Sequence, residues 1–146
     1  MSTSVVPCRS CGWPNRIEPE RLRRGLEPVC GRCRAPLPVC ATPVDVNDRS
    51  FDDDVLGSPL PVLLDMWAPW CLPCRSMGPV LDAVASSVAG WARVARLNVD
   101  ENPGVAARLR IQGVPTFIVF KDGREVARMI GARGKKDLLA SLGVVA

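Results

Sequence analysis

The sequence predicts an α/β domain, a mixed central sheet with helices on both faces, preceded by a small N-terminal zinc ribbon. Three observations carry this. The apolar pattern beyond about residue 42 alternates strand-like runs with helix-like ones in the order β-α-β-α-β-α-β-β-α. Six of the seven cysteines fall into three Cys-x-x-Cys pairs, Cys8/Cys11, Cys30/Cys33 and Cys71/Cys74, and Cys40 is left over. The chain of 146 residues, 47% hydrophobic, is long enough for one ordinary core plus an appendage. The expected division is 1–40 for the ribbon and 41–146 for the larger domain.

In the ribbon, Cys8-Arg9-Ser10-Cys11-Gly12 and Cys30-Gly31-Arg32-Cys33 stand eighteen residues apart, a spacing typical of tetracysteine zinc sites. Gly12 after Cys11 and Gly31 after Cys30 are the residues expected to let the backbone fold round a metal. Trp13, Ile17, Leu22, Leu26, Val29 and Leu37 are too few for a self-sufficient core. Metal binding, about 10–16 kcal/mol in small finger peptides, would supply what burial does not. Two short disulfides are the competing reading. Each would contribute only about 2 kcal/mol and would be reduced in a cytosolic setting. The chain has no histidine, so an all-cysteine site of Cys8, Cys11, Cys30 and Cys33 holding one structural zinc ion is expected.

Seven of the nineteen basic residues but only three of the fifteen acidic ones lie before residue 41, so the whole net charge of +4 is N-terminal. A four-thiolate metal centre would lower it further. That field is too weak to indicate a nucleic-acid or membrane partner, and the cluster of Arg21, Arg23 and Arg24 reads as a solvated face. No apolar run approaches the roughly 20 residues of a membrane span, and the first residues lack a basic-then-apolar leader pattern. The expectation is a cytoplasmic protein. Pro36, Pro38 and Pro43 mark 34–42 as a semi-rigid linker. Cys40 within it reads as a small, partly buried hydrophobe, with a fifth metal ligand or a regulatory thiol as alternatives.

In the larger domain a short strand at 44–46 leads to a helical patch at 50–56, with Asp52, Asp53 and Asp54 in its first turn, where carboxylates suit the helix dipole. Residues 60–67 form a strand apolar on both faces, as in a central parallel strand. Met77, Leu81, Val84 and Val88 recur at helical spacing, and Pro79 predicts a kink in a helix over 71–88. A strand at 94–99, a helix at 103–109, strands at 116–120 and 125–130 joined by a turn at Lys121-Asp122-Gly123-Arg124, and a closing helix at 134–142 complete the order.

The third Cys-x-x-Cys sits where the apolar strand ends and a helix begins. A thiolate attacks disulfides far faster than a thiol, and unsatisfied N–H groups of a helix start, Cys74's among them, would favour the charged sulfur of Cys71. Cys74, one turn deeper, is placed to resolve the mixed disulfide and leave a Cys71–Cys74 bridge. Asp65 lies inside the apolar strand, where a charge is costly without a partner or a task. One reading pairs it with Arg96. The preferred one makes it a buried carboxylate of raised pKa that exchanges the proton of Cys74 through water.

Leu64-Asp65-Met66-Trp67-Ala68-Pro69-Trp70-Cys71-Leu72-Pro73-Cys74 resembles the active site of the thioredoxin family. Gly113-Val114-Pro115-Thr116 resembles that family's cis-proline loop. The segments 96–103 and 121–123 also resemble thioredoxin, and with the ribbon the whole chain is similar to the family's zinc-ribbon type, thioredoxin 2. The resemblance implies the thioredoxin fold, a protein-disulfide reductase activity, no bound organic cofactor, disulfide-containing client proteins and an external thioredoxin-reductase-type electron donor. It implies Cys71 as attacking thiol, Cys74 as resolving thiol, Asp65 as buried acid, Pro115 in cis, and a substrate groove at Trp70, Leu72 and Val114, with Trp67 also flanking the site. A monomer is expected.

Two residues depart from the pattern. Leu72 stands where glycine is usual, and Arg96 where lysine is usual, so the redox potential does not carry over. A tenfold shift in equilibrium takes only about 30 mV. An oxidant or isomerase of higher potential, and a ribbon acting as a redox-sensing or protein-binding module, therefore stand as alternatives.

Overall fold

The computed structural model describes residues 4–143, so the outermost ends of the two expected ranges lie outside the described residues. The ribbon opens with β1 (Ser4–Pro7) and β2 (Pro14–Ile17), paired antiparallel, followed by the short helix α1 (Pro19–Arg23). The larger domain contains β3 (Val44–Asp45), β4 (Val62–Trp67), α2 (Leu72–Ser76), α3 (Gly78–Ser87), β5 (Arg93–Asn98), α4 (Pro103–Arg108), β6 (Thr116–Lys121), β7 (Arg124–Ile130) and α5 (Lys135–Ser141). The sheet order is β3-β5-β4-β6-β7, parallel among β3, β5 and β4 and antiparallel through β6 and β7. This is the expected mixed sheet. No helix among the described residues is long and apolar enough to cross a membrane.

Side-chain alternation on β4 explains the two cores. Leu63 packs with Val94, Phe117 and Val119 against Leu81 and Val84 of α3, Val88 just after it, and Leu138 and Leu139 of α5. Val62, Leu64 and Met66 face the other way, onto Phe51, Val55 and Val105. With both faces covered, β4 reads as an unbroken apolar run, and Asp65 is its buried exception.

Three local expectations are modified. The single kinked helix over 71–88 is two helices joined at Met77. Pro79, with no N–H to give Arg75, breaks the ladder, and hydrogen bonding resumes from Leu81 N–H to the Met77 carbonyl at 2.9 Å. The helical patch is a π-helical turn over Asp52–Leu56, closed by Gly57 N–H to the Asp52 carbonyl at 2.8 Å. The hairpin joining β6 to β7 turns on Asp122 and Gly123, both with positive φ, 53° and 76°, the signature of a two-residue type I′ turn.

The stretch 34–42 is not a spacer. Leu37, Val39 and Ala41 are buried and alternate with less buried neighbours, a strand-like period that the prolines between them disguise. They form one cluster with Val6, Ile17 and Leu22 of the ribbon and with Leu60 and Ala89 of the larger domain. Arg9 reinforces the docking through the Asp53 carbonyl at 2.8 Å and the Asp54 carboxylate at 3.6 Å. Arg23 donates to the Ser86 carbonyl at 2.8 Å, at the end of α3.

Candidate functional site

Strand β4 ends at Trp67, at the C-terminal end of the sheet's central strand, and Ala68-Pro69-Trp70 carries the chain to Cys71, which caps α2. Pro73 is tolerated in this first turn because its missing N–H would have had no intrahelical partner. Cys71 and Cys74 are joined as a disulfide, and the Cys74 N–H donates to Cys71 Sγ at 3.2 Å. Both sulfurs' residues are buried, while Trp70 and Leu72 beside them are 69% and 73% exposed. The Val114–Pro115 peptide is cis, and the Val114 carbonyl oxygen lies 3.7 Å from Cys71 Sγ. Ala68, Cys71 and Cys74 pack with Trp67, Val99 and Val114. Fold therefore brings together Cys71, Cys74, Trp70, Leu72, Val114 and Pro115 from two separate stretches of chain.

Asp65 makes the ion pair of the first reading and has the burial that the second requires. Its Oδ2 accepts from Arg96 Nε at 3.1 Å, because β4 and β5 pair Asp65 with Arg96 in register. Its Oδ1 is buried and, among the described residues, has no hydrogen-bond partner. Burial pushes the carboxyl up to about 6, against the pull of the Arg96 charge and hydrogen bond. Arg96 in turn lies over the Trp67 ring, 4.7 Å from its centroid, which fixes the guanidinium from the other side.

The sequence reading missed Asp100, whose Oδ2 accepts from Trp70 Nε1 at 3.0 Å. The signal was the indole itself: an exposed tryptophan held in place needs a partner for its N–H.

In the ribbon, the Sγ atoms of Cys8, Cys11, Cys30 and Cys33 all lie within 4.8 Å of one another, with Cys8–Cys33 at 3.5 Å and Cys11–Cys30 at 3.7 Å. Four thiolates about 2.3 Å from a tetrahedral metal would stand about 3.8 Å apart, so the cluster has the dimensions to hold an ion. Ser10 and Arg32 donate N–H groups to Cys8 Sγ and Cys30 Sγ, each at 3.4 Å. Amides of Cys33 and Arg32 pull Cys30 down to about 6 against burial. Cys33 receives the Ala35 N–H, yet the sulfur of Cys8, burial and the remaining sulfurs push it up to about 12. Four thiolates this close repel one another until a cation compensates them.

The glycine assignment needs correction. Gly12 is left-handed at φ 77°, but the corresponding residue of the second turn is Arg34 at φ 67°, not Gly31. Gly31 instead gives its N–H to Asn15 Oδ1 at 2.9 Å, tying β2 to the second cysteine turn. Asn15 was also missed; its partner lies sixteen residues away, and nothing in its local sequence marks the role. Cys40 stands outside the sulfur cluster and bonds the Thr42 carbonyl at 3.1 Å.

A vicinal cysteine pair at the start of a helix, on a mixed five-stranded sheet with a cis-proline loop beside it, defines a thiol–disulfide oxidoreductase. Residues 42–143 match the thioredoxin family model, and the chain belongs to the thioredoxin family. It is 47% identical over 102 residues to a thioredoxin of Synechocystis sp., covering 70% of this chain and 94% of that one. It is 48% identical over 99 residues to a thioredoxin of Mycobacterium tuberculosis, covering 68% and 85%. A thioredoxin of Porphyra purpurea is 44% identical over 97 residues, covering 66% and 91%. The ribbon lies outside the residues that the family model matches.

Proposed function

We propose that the protein is a protein-disulfide reductase of the zinc-ribbon type, with the ribbon in 1–40 and the catalytic domain in 41–146. Support comes chiefly from the Cys74 N–H aimed at Cys71 Sγ, which favours a thiolate at Cys71 when the pair is reduced. That thiolate attacks one sulfur of a client disulfide, the client's other sulfur leaves as a thiolate, and a mixed disulfide forms at Cys71. Cys74 loses its proton through water to Asp65, whose free Oδ1 and raised pKa suit it to accept one near neutrality. Cys74 then attacks Cys71 Sγ and releases the reduced client, and two electrons have passed to it. An external dithiol donor of the thioredoxin-reductase type restores the pair.

Trp70, Leu72 and Val114 form the client surface, with the Val114 backbone beside the cis Pro115 offering hydrogen bonds to an extended segment. Cys8, Cys11, Cys30 and Cys33 hold one structural zinc ion. When bound, it would supply a structural crosslink between the two cysteine turns. No organic cofactor is needed, and the working form is a cytoplasmic monomer.

Turnover of an insulin-type disulfide substrate with supplied reductant tests the reading, with zinc quantified in the same sample. Wild-type protein should turn over and Cys71→Ser should not; equal rates for the two would refute it. One zinc per chain is expected, falling to a small fraction in Cys30→Ser.

A further inference from the structure

Beside the Cys71–Cys74 pair lies an open groove of about 410 Å³, lined by Trp70, Val99, Ala107, Ile111 and Val114 among others. Its single charged lining residue is Arg110. Arg110 is exposed, and among the described residues its guanidinium has no ion pair or hydrogen bond. Arg108, two residues earlier, is by contrast committed to Asp52 at 3.0 Å. On the Trp70 side the carboxylate of Asp100 is engaged by the indole N–H.

The backbone at Arg110 makes its presence informative. Helix α4 ends in a Schellman motif: Arg110 N–H bonds the Ala107 carbonyl at 3.1 Å and Ile111 N–H bonds the Ala106 carbonyl at 3.0 Å. Arg110 is the left-handed residue of that motif, at φ 56°. Glycine fills this position at no steric cost, whereas an arginine holds it against a conformational penalty. An outlier kept at the mouth of a groove, carrying a free charge, points to a task for the side chain.

We propose that Arg110 makes this groove selective for client segments carrying an acidic side chain close to the cysteine being reduced. The inference rests on the reductase reading above and names its substrate class. The apolar floor takes the extended client chain, and the guanidinium at the rim pairs with its carboxylate. A bland alternative is that Arg110 only answers the carbonyl end of α4.

Single-turnover reduction separates these readings. The reduced protein is mixed with symmetric disulfides of an otherwise uncharged peptide holding one central cysteine. One Glu, Gln or Lys is placed in turn at each of several positions on either side. At low salt the second-order rate for Glu over Lys should reach roughly fivefold at one or two positions and fall toward unity at about 0.5 M salt. In Arg110→Gly, which keeps the left-handed backbone, that ratio should collapse toward one, and in Arg110→Glu it should invert. A ratio of one in the wild type, or one unchanged in Arg110→Gly, overturns the proposal, as does a loss of thermal stability in Arg110→Gly with the ratio intact. Absence of turnover with every peptide overturns the reductase reading as well.

Discussion

Replacing Asp65 by asparagine should stabilise the oxidised protein at neutral pH and slow it as a catalyst. The carboxyl rises from 3.8 to about 6 on folding, with the attraction of Arg96 already contained in that value. A group whose folded pKa is raised binds its proton more tightly in the native state. Its favourable contribution is therefore full below the unfolded pKa and lost as pH rises through 6. Above that point the buried carboxylate costs about 3 kcal/mol relative to a neutral side chain, at about 1.4 kcal/mol per pH unit between the two values. The substituted amide does not titrate and has no such term, and Arg96 keeps its stacking on Trp67. Urea unfolding of both proteins between pH 3.5 and 8 should show a gap near zero at the acid end, widening to about 3 kcal/mol above pH 6. In melting temperature this is about 6–12 °C at pH 7.5. The same variant should lose about ten- to hundredfold in turnover above pH 6 and with it the rise in rate across that pH. A stability gap independent of pH, or a variant less stable than the wild type at pH 7.5, would refute the reasoning.

Leu60→Ala removes a side chain shared between the ribbon and the larger domain. It should cost about 2–4 kcal/mol and raise amide hydrogen exchange at Val39 and Ala41, whereas exchange confined to β4 would argue that the ribbon docks by other contacts. Gly12→Ala should weaken zinc retention in a chelator competition and cost about 1–2 kcal/mol, because φ 77° is strained for alanine although, among the described residues, no atom beyond its chain neighbours lies within 4 Å of the added Cβ. Gly31→Ala should be within about 0.5 kcal/mol of wild type, its Cβ meeting only Asn15 Oδ1 at 3.8 Å. Equal losses for the two glycines would return Gly31 to the role that the sequence suggests.

The larger domain was legible because its elements are set by local periodicity. An all-apolar run announces β4 as a central strand, and Leu81, Val84 and the capping Val88 mark the buried side of α3. Asp65 stood out for the same reason, as the one charge inside such a run. What depended on distant chain did not show. Leu60 and Ala89 look like ordinary core residues, and only the fold reveals that their neighbours include the ribbon. The partnership of Trp70 with Asp100 spans thirty residues, and that of Asn15 with Gly31 sixteen. Arg34 and Arg110 were invisible for a different reason: left-handed backbone is read from glycine, and here arginine occupies it.

The three Cys-x-x-Cys turns show where identical spacing stops determining chemistry. In each, the amide four residues after the first cysteine bonds back to that cysteine's carbonyl: Gly12 to Cys8 at 2.8 Å, Arg34 to Cys30 at 3.0 Å and Arg75 to Cys71 at 3.2 Å. The paths separate at that residue. Gly12 and Arg34 are left-handed, so the chain reverses and bonds again, Cys8 N–H to the Trp13 carbonyl and Cys30 N–H to the Ala35 carbonyl. Reversal leaves the second cysteine of each pair, Cys11 and Cys33, exposed and facing the sulfurs of the opposite turn. Arg75 continues into helix instead, which carries Cys74 into the interior at 0% exposure. Its sulfur then has Cys71 as its bonded partner, and of the two Cys71 is the more exposed, at 5%. A difference in one backbone angle, one residue past the second cysteine, thus separates a four-sulfur cluster that a cation can close from a two-sulfur pair suited to exchange.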